Sequence, residues 1–167
     1  MKNLHDSAGA KPSYPPAGMS VRMTDTDDER RSPAPREGRE FFHDGTFNDW
    51  LGFAVEEYGE GEVVLSVEYE EFKQNPGGVL HGGVTAALID VAGGMAIGST
   101  FEDPPGAMAT TNLDVNYLRP TTDTAYATAE VARVGSSNAI ARVEVESTAP
   151  GGERKQVAIG TVTYQRH

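Results

Sequence analysis

A glycine-rich segment followed by one isolated acid holds the residues whose types and spacing could do chemistry. His81, Gly82 and Gly83 precede a run of small and apolar residues that extends to Gly98, and Asp90 is the only ionisable side chain in it. A run that is apolar all round is typical of a buried helix. Such an acid could have a purely structural role if hydrogen bonds satisfied it. A buried charge without a partner costs several kcal/mol, however, so a helix rarely keeps one without a function. We therefore interpret Asp90 as functional, either as a general base or as a nucleophile.

The start of the predicted helix offers the complementary group, a place to bind a carbonyl oxygen. The N–H groups of a first helical turn have no intrahelical partner and form the positive end of the helix dipole. Gly82 and Gly83 leave this end without side chains, so a carbonyl oxygen could approach closely and be polarised. Asn75 precedes Pro76 and two glycines. Its amide could add a donor, or it could serve only as a turn former.

The spacing of these two groups predicts a site shared between two chains. Asp90 follows Gly82 by eight residues, so at about 1.5 Å of rise per residue the two lie roughly 12 Å apart along a helix. Both cannot contact one carbonyl group across that distance. If both act in one reaction, one of them must come from a second copy of the chain. We therefore predict a homodimer with two equivalent sites, with a dimer of dimers as the expected larger assembly.

The elements that must position these residues can be read from hydrophobic patterning. Residues 1–37 are rich in proline and lack apolar periodicity, which predicts a disordered tail, and residues 38–167 form the predicted domain. An aromatic segment, Phe41–Leu51, predicts a short helix. The following pattern predicts the order β-β-α-β-β-β-β, with the helix over Gly82–Thr100 ended by the prolines after it. We expect an α+β fold in which about six mostly antiparallel strands curl around one central helix.

The alternating segments define the individual strands. The first is predicted over Gly52–Tyr58, and the second places Val63, Leu65, Val67 and Tyr69 inside and Glu62, Ser66, Glu68 and Glu70 on an acidic outer face. The third alternates from Asn112 to Tyr117, and the last three are predicted at residues 124–134, 138–147 and 155–165. Gly135–Ser137 and Ala149–Gly152 are hairpin signals between these last strands.

Composition excludes several classes of function. The chain has no cysteine and four scattered histidines, so we expect no metal and no cofactor. The net charge of −11, from 25 acids and 14 bases, argues against nucleic acid or an anionic membrane as a partner. Only four of the bases are lysine, which could reflect a GC-rich genome, although we favour an acidic surface adapted to a halophile's cytoplasm. No apolar run is long enough to span a bilayer, and we expect a cytoplasmic protein.

The motifs together resemble one known family. Asn75-x-x-x-x-x-His81-Gly82-Gly83, the acid nine residues after the histidine, and Asn112-Leu-Asp-Val-Asn-Tyr-Leu-Arg-Pro120 closely resemble the PaaI-like hotdog-fold acyl-CoA thioesterases, within the 4-hydroxybenzoyl-CoA thioesterase superfamily. The resemblance extends over residues 41–165. It implies a sheet wrapped around one helix, two subunits that join their sheets side by side, and an acid that reaches each site from the other subunit.

The same resemblance implies roles for individual residues in the hydrolysis of an acyl-CoA thioester. Asp90 matches the catalytic acid, as general base or nucleophile, and Gly82 matches the glycine whose N–H polarises the thioester carbonyl. Asn75 matches the asparagine that helps to orient this carbonyl. Thr110 stands where some members have a serine or threonine that holds the water.

The remaining motif residues resemble a substrate path. His81 and Gly83 belong to the His-Gly-Gly motif, and we interpret His81 as a residue that fixes the loop and the helix start. Residues expected to line the acyl or CoA path are Asn112, Tyr117, Arg119 and Arg133. Core packing is an alternative for Tyr117, because it alternates with Leu113 and Val115, and both arginines could be ordinary surface charges.

Two other functions are possible on the same fold. A hotdog hydratase or dehydratase would carry a His-Phe-Pro-x-x-Pro pattern, which this sequence lacks. A non-catalytic acyl-CoA-binding module would not need the helix acid and is expected beside a regulatory domain. Asp90 and the short acidic N-terminal segment therefore favour the enzyme.

Overall fold

A computed structural model of the chain describes residues 42–102 and 108–166. The predicted tail, residue Phe41 and the prolines after the long helix lie outside the described residues. The elements follow the predicted order: α1 (Phe47–Trp50), β1 (Phe53–Gly59), β2 (Glu62–Val67), α2 (Gly82–Gly98), β3 (Met108–Tyr117), β4 (Ala125–Val134), β5 (Asn138–Thr148) and β6 (Arg154–Arg166). One turn of 3-10 helix at Glu71–Lys73 was not predicted. No helix in the described part of the chain is long and apolar enough to cross a membrane.

The six strands form one antiparallel sheet in the order β1-β2-β4-β5-β6-β3. The chain crosses from β2 through α2 to β3 at the far edge, and β4 then returns beside β2. The sheet curves around α2, which contacts all six strands. The predicted fold class, a curved sheet around one central helix, is confirmed.

The core explains why the helix can lie so close to the sheet. Leu88, Ile89 and Ala92 of α2 are fully buried. Alanine lines much of the inner faces of β4 and β5 and leaves room for Leu88 and Ile89. These alanines are Ala125, Ala127, Ala129, Ala139 and Ala141. Glycine serves the same purpose at Gly93, where a Cβ would lie only 2.1 Å from Val162 Cγ1. Close approach, rather than turn formation, therefore requires this glycine.

Two details of β2 differ from the prediction. The strand ends at Val67, so Tyr69 lies outside it, and the Tyr69 hydroxyl donates a 2.6 Å hydrogen bond to Gly78 O in the following loop. Ser66 was expected on the exposed acidic face, but it is fully buried. Its hydroxyl donates to Glu56 Oε1 on β1. The prediction for Ser66 is wrong because alternation assigns a residue to a face but does not reveal what covers that face.

The long helix also ends earlier than predicted. α2 stops at Gly98 rather than at Thr100. Ser99 Oγ donates to Ala96 O at 2.7 Å, and Thr100 Oγ1 donates to Ile97 O at 2.8 Å. Ile97 O also accepts the N–H of Thr100 at 3.2 Å. Both hydroxyl groups therefore bond carbonyls in the last turn, and the helix ends before the prolines are reached.

Candidate active site

His81 organises the N-terminus of α2 and leaves one backbone donor unused. Its Nδ1 accepts the N–H of Gly83 at 2.9 Å. Its backbone oxygen accepts the N–H groups of Val84 at 2.9 Å and Thr85 at 3.3 Å. The N–H of Gly82 alone among these first-turn groups has no acceptor within the described residues. His81 is therefore a helix cap, as interpreted from the sequence, and Gly82 N–H remains available to a ligand.

The loop before the helix holds Asn75 in place through its side-chain oxygen. Asn75 Oδ1 accepts the N–H of Gly77 at 2.8 Å, and Gly78 turns the chain with a φ of +73°. The loop is tied to the segment after β3 by a 2.9 Å bond from Leu80 N to Thr121 O. The Asn75 side-chain nitrogen has no partner among the described residues. The two interpretations of Asn75 are thus compatible, because the oxygen forms the turn and the nitrogen can still donate.

A cavity of about 550 Å³ opens beside this helix start and brings together five of the predicted site residues. These are Asn75, Gly82, Gly83, Tyr117 and Arg119. Its other walls are mostly apolar. They come from the same loop and from the segment after β3 (Val79, Leu80, Leu118, Pro120 and Thr121), and from Thr85 of α2.

Tyr117 and Arg119 are fixed at the wall of this cavity. The Tyr117 hydroxyl donates to Gly82 O at 2.7 Å, and Arg119 Nη1 donates to Gln156 O at 2.6 Å. Tyr117 is 56% exposed in the single chain. This exposure argues against the alternative that Tyr117 packs in the core.

Asp90 lies elsewhere on the helix, in contact with two hydroxyl groups. Its Oδ1 accepts from Thr110 Oγ1 at 2.8 Å and from the Tyr164 hydroxyl at 3.0 Å. Asp90 is half-buried rather than buried as expected, because the sheet covers only one side of α2 in a single chain. Asp90 and Thr110 do not line the cavity at Gly82. Gly82 and Asp90 therefore lie at different places in one chain, as their spacing along a helix leads one to expect.

Tyr164 is the residue at this site that the sequence analysis did not identify. Burial raises its pKa to about 12, so the phenol stays protonated and acts as a hydrogen-bond donor. In β6 it follows Val162 on the inward-facing side of the strand and is paired with Thr110 of β3. A hydroxyl-bearing aromatic at an inward position could have served as a signal, but its distance from Asp90 could not be read from the sequence.

Asn112 and Arg133 are not brought to the cavity. Both are exposed, and both lie in the same row of the sheet, in which Asn112 pairs with Thr163, Thr163 with Ile140, and Ile140 with Arg133. Three strand spacings therefore separate Asn112 from Arg133, or roughly 14 Å. Within one chain, these two residues are closer in register to Thr110 than to Tyr117.

Comparison with known proteins agrees with the fold. The thioesterase superfamily profile matches residues 77–152. A Halobacterium salinarum protein whose name assigns it to the esterases is 39% identical over 122 residues, which cover 70% of this chain and 81% of that protein. The medium/long-chain acyl-CoA thioesterase YigI of Escherichia coli K12 is 33% identical over 147 residues, covering 76% of this chain and 89% of YigI.

A solved structure supports the same family assignment. A mutant of the phenylacetic acid degradation protein PaaI from Thermus thermophilus superposes with a TM-score of 0.62 at 28% identity, covering 72% of this chain and 98% of that one. The motifs, the curved sheet around one helix and these relatives agree, and the chain belongs to the PaaI-like hotdog proteins of the thioesterase superfamily, which are thioester hydrolases.

Proposed function

We propose that this protein hydrolyses acyl-CoA thioesters to a carboxylic acid and CoA, and that it does so as a homodimer with two shared sites. The observation that carries the proposal is the N–H of Gly82 at the positive end of α2, which has no acceptor in the part of the chain that the structure describes and lies on the wall of a cavity that could admit a ligand. A carbonyl oxygen that gains negative charge during the reaction is the group this position stabilises best.

The chemistry follows from three groups. Gly82 N–H and the Asn75 side-chain N–H₂ donate to the thioester oxygen and polarise the carbonyl. Asp90 then either removes a proton from a water molecule that attacks the carbonyl carbon, or attacks that carbon itself and is released by water later. In both routes the C–S bond breaks, the electron pair leaves with sulfur, and a proton is returned to the CoA thiolate.

The edge strand explains how a second chain would complete the site. β3 lies at the sheet edge and is exposed along most of its length, and a long exposed edge strand is a template for pairing with another chain. Thr110, beside Asp90, lies near one end of β3, and Tyr117, beside Gly82, lies at the other. Antiparallel pairing of β3 with its own copy about a two-fold axis near Leu113 would place the Asp90 end of one chain beside the Gly82 end of the other.

The acyl group we propose is apolar and of medium or greater length. The E. coli relative is named for medium and long acyl chains, and Val79, Leu80 and Leu118 give the cavity an apolar wall. Arg119 at the same wall is a candidate for the CoA phosphates, although its attraction would be screened at high salt.

The test is the release of free CoA thiol from a panel of short-chain, long-chain and aromatic acyl-CoAs. We expect Asp90→Asn to lower kcat by about 10²–10⁴-fold, the usual contribution of a positioned base. Glu146→Gln, a carboxylate exposed on β5, is the matched control and should turn over like wild type. If wild type binds acyl-CoA but cleaves none, the protein is a binding module. If Asp90→Asn is as fast as wild type, the mechanism is wrong.

A further inference from the structure

The two oxygens of Asp90 have different surroundings. Oδ1 accepts two hydrogen bonds, from Thr110 Oγ1 and from the Tyr164 hydroxyl. Oδ2 has no hydrogen-bond partner among the described residues. An oxygen with two donors has little electron density left to offer, whereas its unbonded neighbour can accept a proton or attack a carbon.

We propose that Tyr164 is a positioning residue which, together with Thr110, holds Asp90 by Oδ1 and leaves Oδ2 as the reactive oxygen. This inference rests on the proposed function, and it assigns to the reaction a residue outside the Asn75–Asp90 and Asn112–Pro120 motifs. It also gives Thr110 a definite contact, because its hydroxyl donates to the acid itself.

Packing prevents Tyr164 from turning away from Asp90. The ring packs against a small core cluster in which Ile97 and Val162 are fully buried. The hydroxyl lies 3.0 Å from Asp90 Oδ1 and 3.0 Å from the backbone oxygen of Asp90, and its single proton is shared between these two acceptors of one residue. Because core packing holds the ring and hydrogen bonding holds the hydroxyl group, the side chain keeps one orientation. A residue that positions another must be fixed in this way.

The helix is built to admit this ring. Gly94 follows Asp90 by one helical turn, and a Cβ at Gly94 would lie 2.6 Å from the Tyr164 hydroxyl oxygen and 2.7 Å from its Cζ. Real Cβ atoms do not approach so closely, so any other residue at this position would displace the phenol. Asp90 and Gly94, one helical turn apart on the same face of α2, therefore form the contact surface for the Tyr164 hydroxyl group.

A hydroxyl that donates to a carboxylate oxygen helps to fix the direction of that carboxylate. Because Tyr164 itself remains protonated well above neutral pH, it is a constant donor through the working range. No lysine, arginine or histidine among the described residues is bonded to Asp90, so the two hydroxyls are the main local influence from β3 and β6.

The test compares Tyr164→Phe, which removes only the hydroxyl, with Tyr126→Phe, which removes one from a tyrosine on β4 that lies under Arg154. For Tyr164→Phe we expect kcat to fall about tenfold with KM unchanged, because one charge-assisted hydrogen bond is lost. A fall in kcat with KM unchanged separates a role in positioning from a loss of substrate binding. Tyr126→Phe should change neither kcat nor KM. Gly94→Ala, which keeps the phenol but displaces it, should reproduce the fall in kcat of Tyr164→Phe.

A second readout does not depend on turnover. The NMR signal of the Asp90 carboxyl carbon, assigned by its loss in Asp90→Asn, is compared at one fixed pH. Its chemical shift should change in Tyr164→Phe, which removes a hydrogen bond to Oδ1, and stay unchanged in Tyr126→Phe. If this change occurs while no acyl-CoA is cleaved, the proposed function fails and the contact stands. If wild type is active and Tyr164→Phe leaves both kcat and the chemical shift unchanged, the positioning role is overturned.

Discussion

The N–H of Gly82 can be removed without disturbing the helix that presents it. Gly82 is the first residue of α2, and its cap residue, His81, has φ of −61° and ψ of 132°. Proline is favoured at the first helical position, and the residue before it prefers such an extended conformation. Gly82→Pro therefore deletes the donor while retaining the backbone geometry.

The matched control for this variant is Gly82→Ala. Both substitutions introduce a Cβ about 3.2 Å from Tyr117 Cζ, a tight contact that the tyrosine ring must relieve by a small shift. The proline also removes the N–H and adds ring carbons at that nitrogen. The ratio of the two variants therefore reports the loss of the donor together with the blocking of its position by the ring.

We expect Gly82→Pro to have a kcat about 10²–10³-fold below that of Gly82→Ala, the usual loss for one oxyanion donor. The melting temperatures of the two should be close, which circular dichroism would verify, and the measurement is CoA thiol release at saturating substrate. Equal rates for the two variants, with both folded, would refute the assignment of Gly82 N–H as the group that polarises the carbonyl.

Three further predictions concern the shared site, the core and the phenol. Mixing Asp90→Asn with Gly82→Pro under conditions of subunit exchange should restore about one quarter of wild-type activity. Half of the dimers are then mixed, and each mixed dimer has one intact site out of two. Absence of recovery in verified mixed dimers would show that both groups act within one chain. Gly93→Ala should lower the free energy of unfolding by about 1–3 kcal/mol or more, since its Cβ meets Val162, and Val162→Ala in the same chain should recover part of this loss in denaturant titrations. The raised pKa of Tyr164 predicts that the contribution of this phenol to folding stability is constant below pH 10 and is lost as pH rises from 10 towards 12. The loss is about 1 kcal/mol after allowance for partial exposure, and it should be absent from Tyr164→Phe if the phenol is its source.

Most of the fold was predictable because its signals are local. Alternation within 155–165, for example, predicted a strand that the structure extends over Arg154–Arg166, and the glycine-rich hairpin before it connects β5 and β6 as expected. Local patterns failed where a neighbour decided the outcome. Ser66, for example, is buried and donates to Glu56 on the neighbouring strand β1. The end of α2 differs for a local reason, because Ser99 and Thr100 bond carbonyls three residues before them.

The candidate site likewise combines features that the sequence predicted with features that only the structure reveals. The sequence by itself determined that Gly82 and Asp90 lie on one helix and too far apart to share a carbonyl, since helical rise fixes distance from residue count alone. Only the tertiary structure decided that Tyr164, which is 74 residues from Asp90 along the chain, donates to it. It also decided that Arg119, and not Arg133, lines the cavity at Gly82. Contacts between distant segments depend on strand order and on packing of the helix against the sheet, and periodicity carries no information about either.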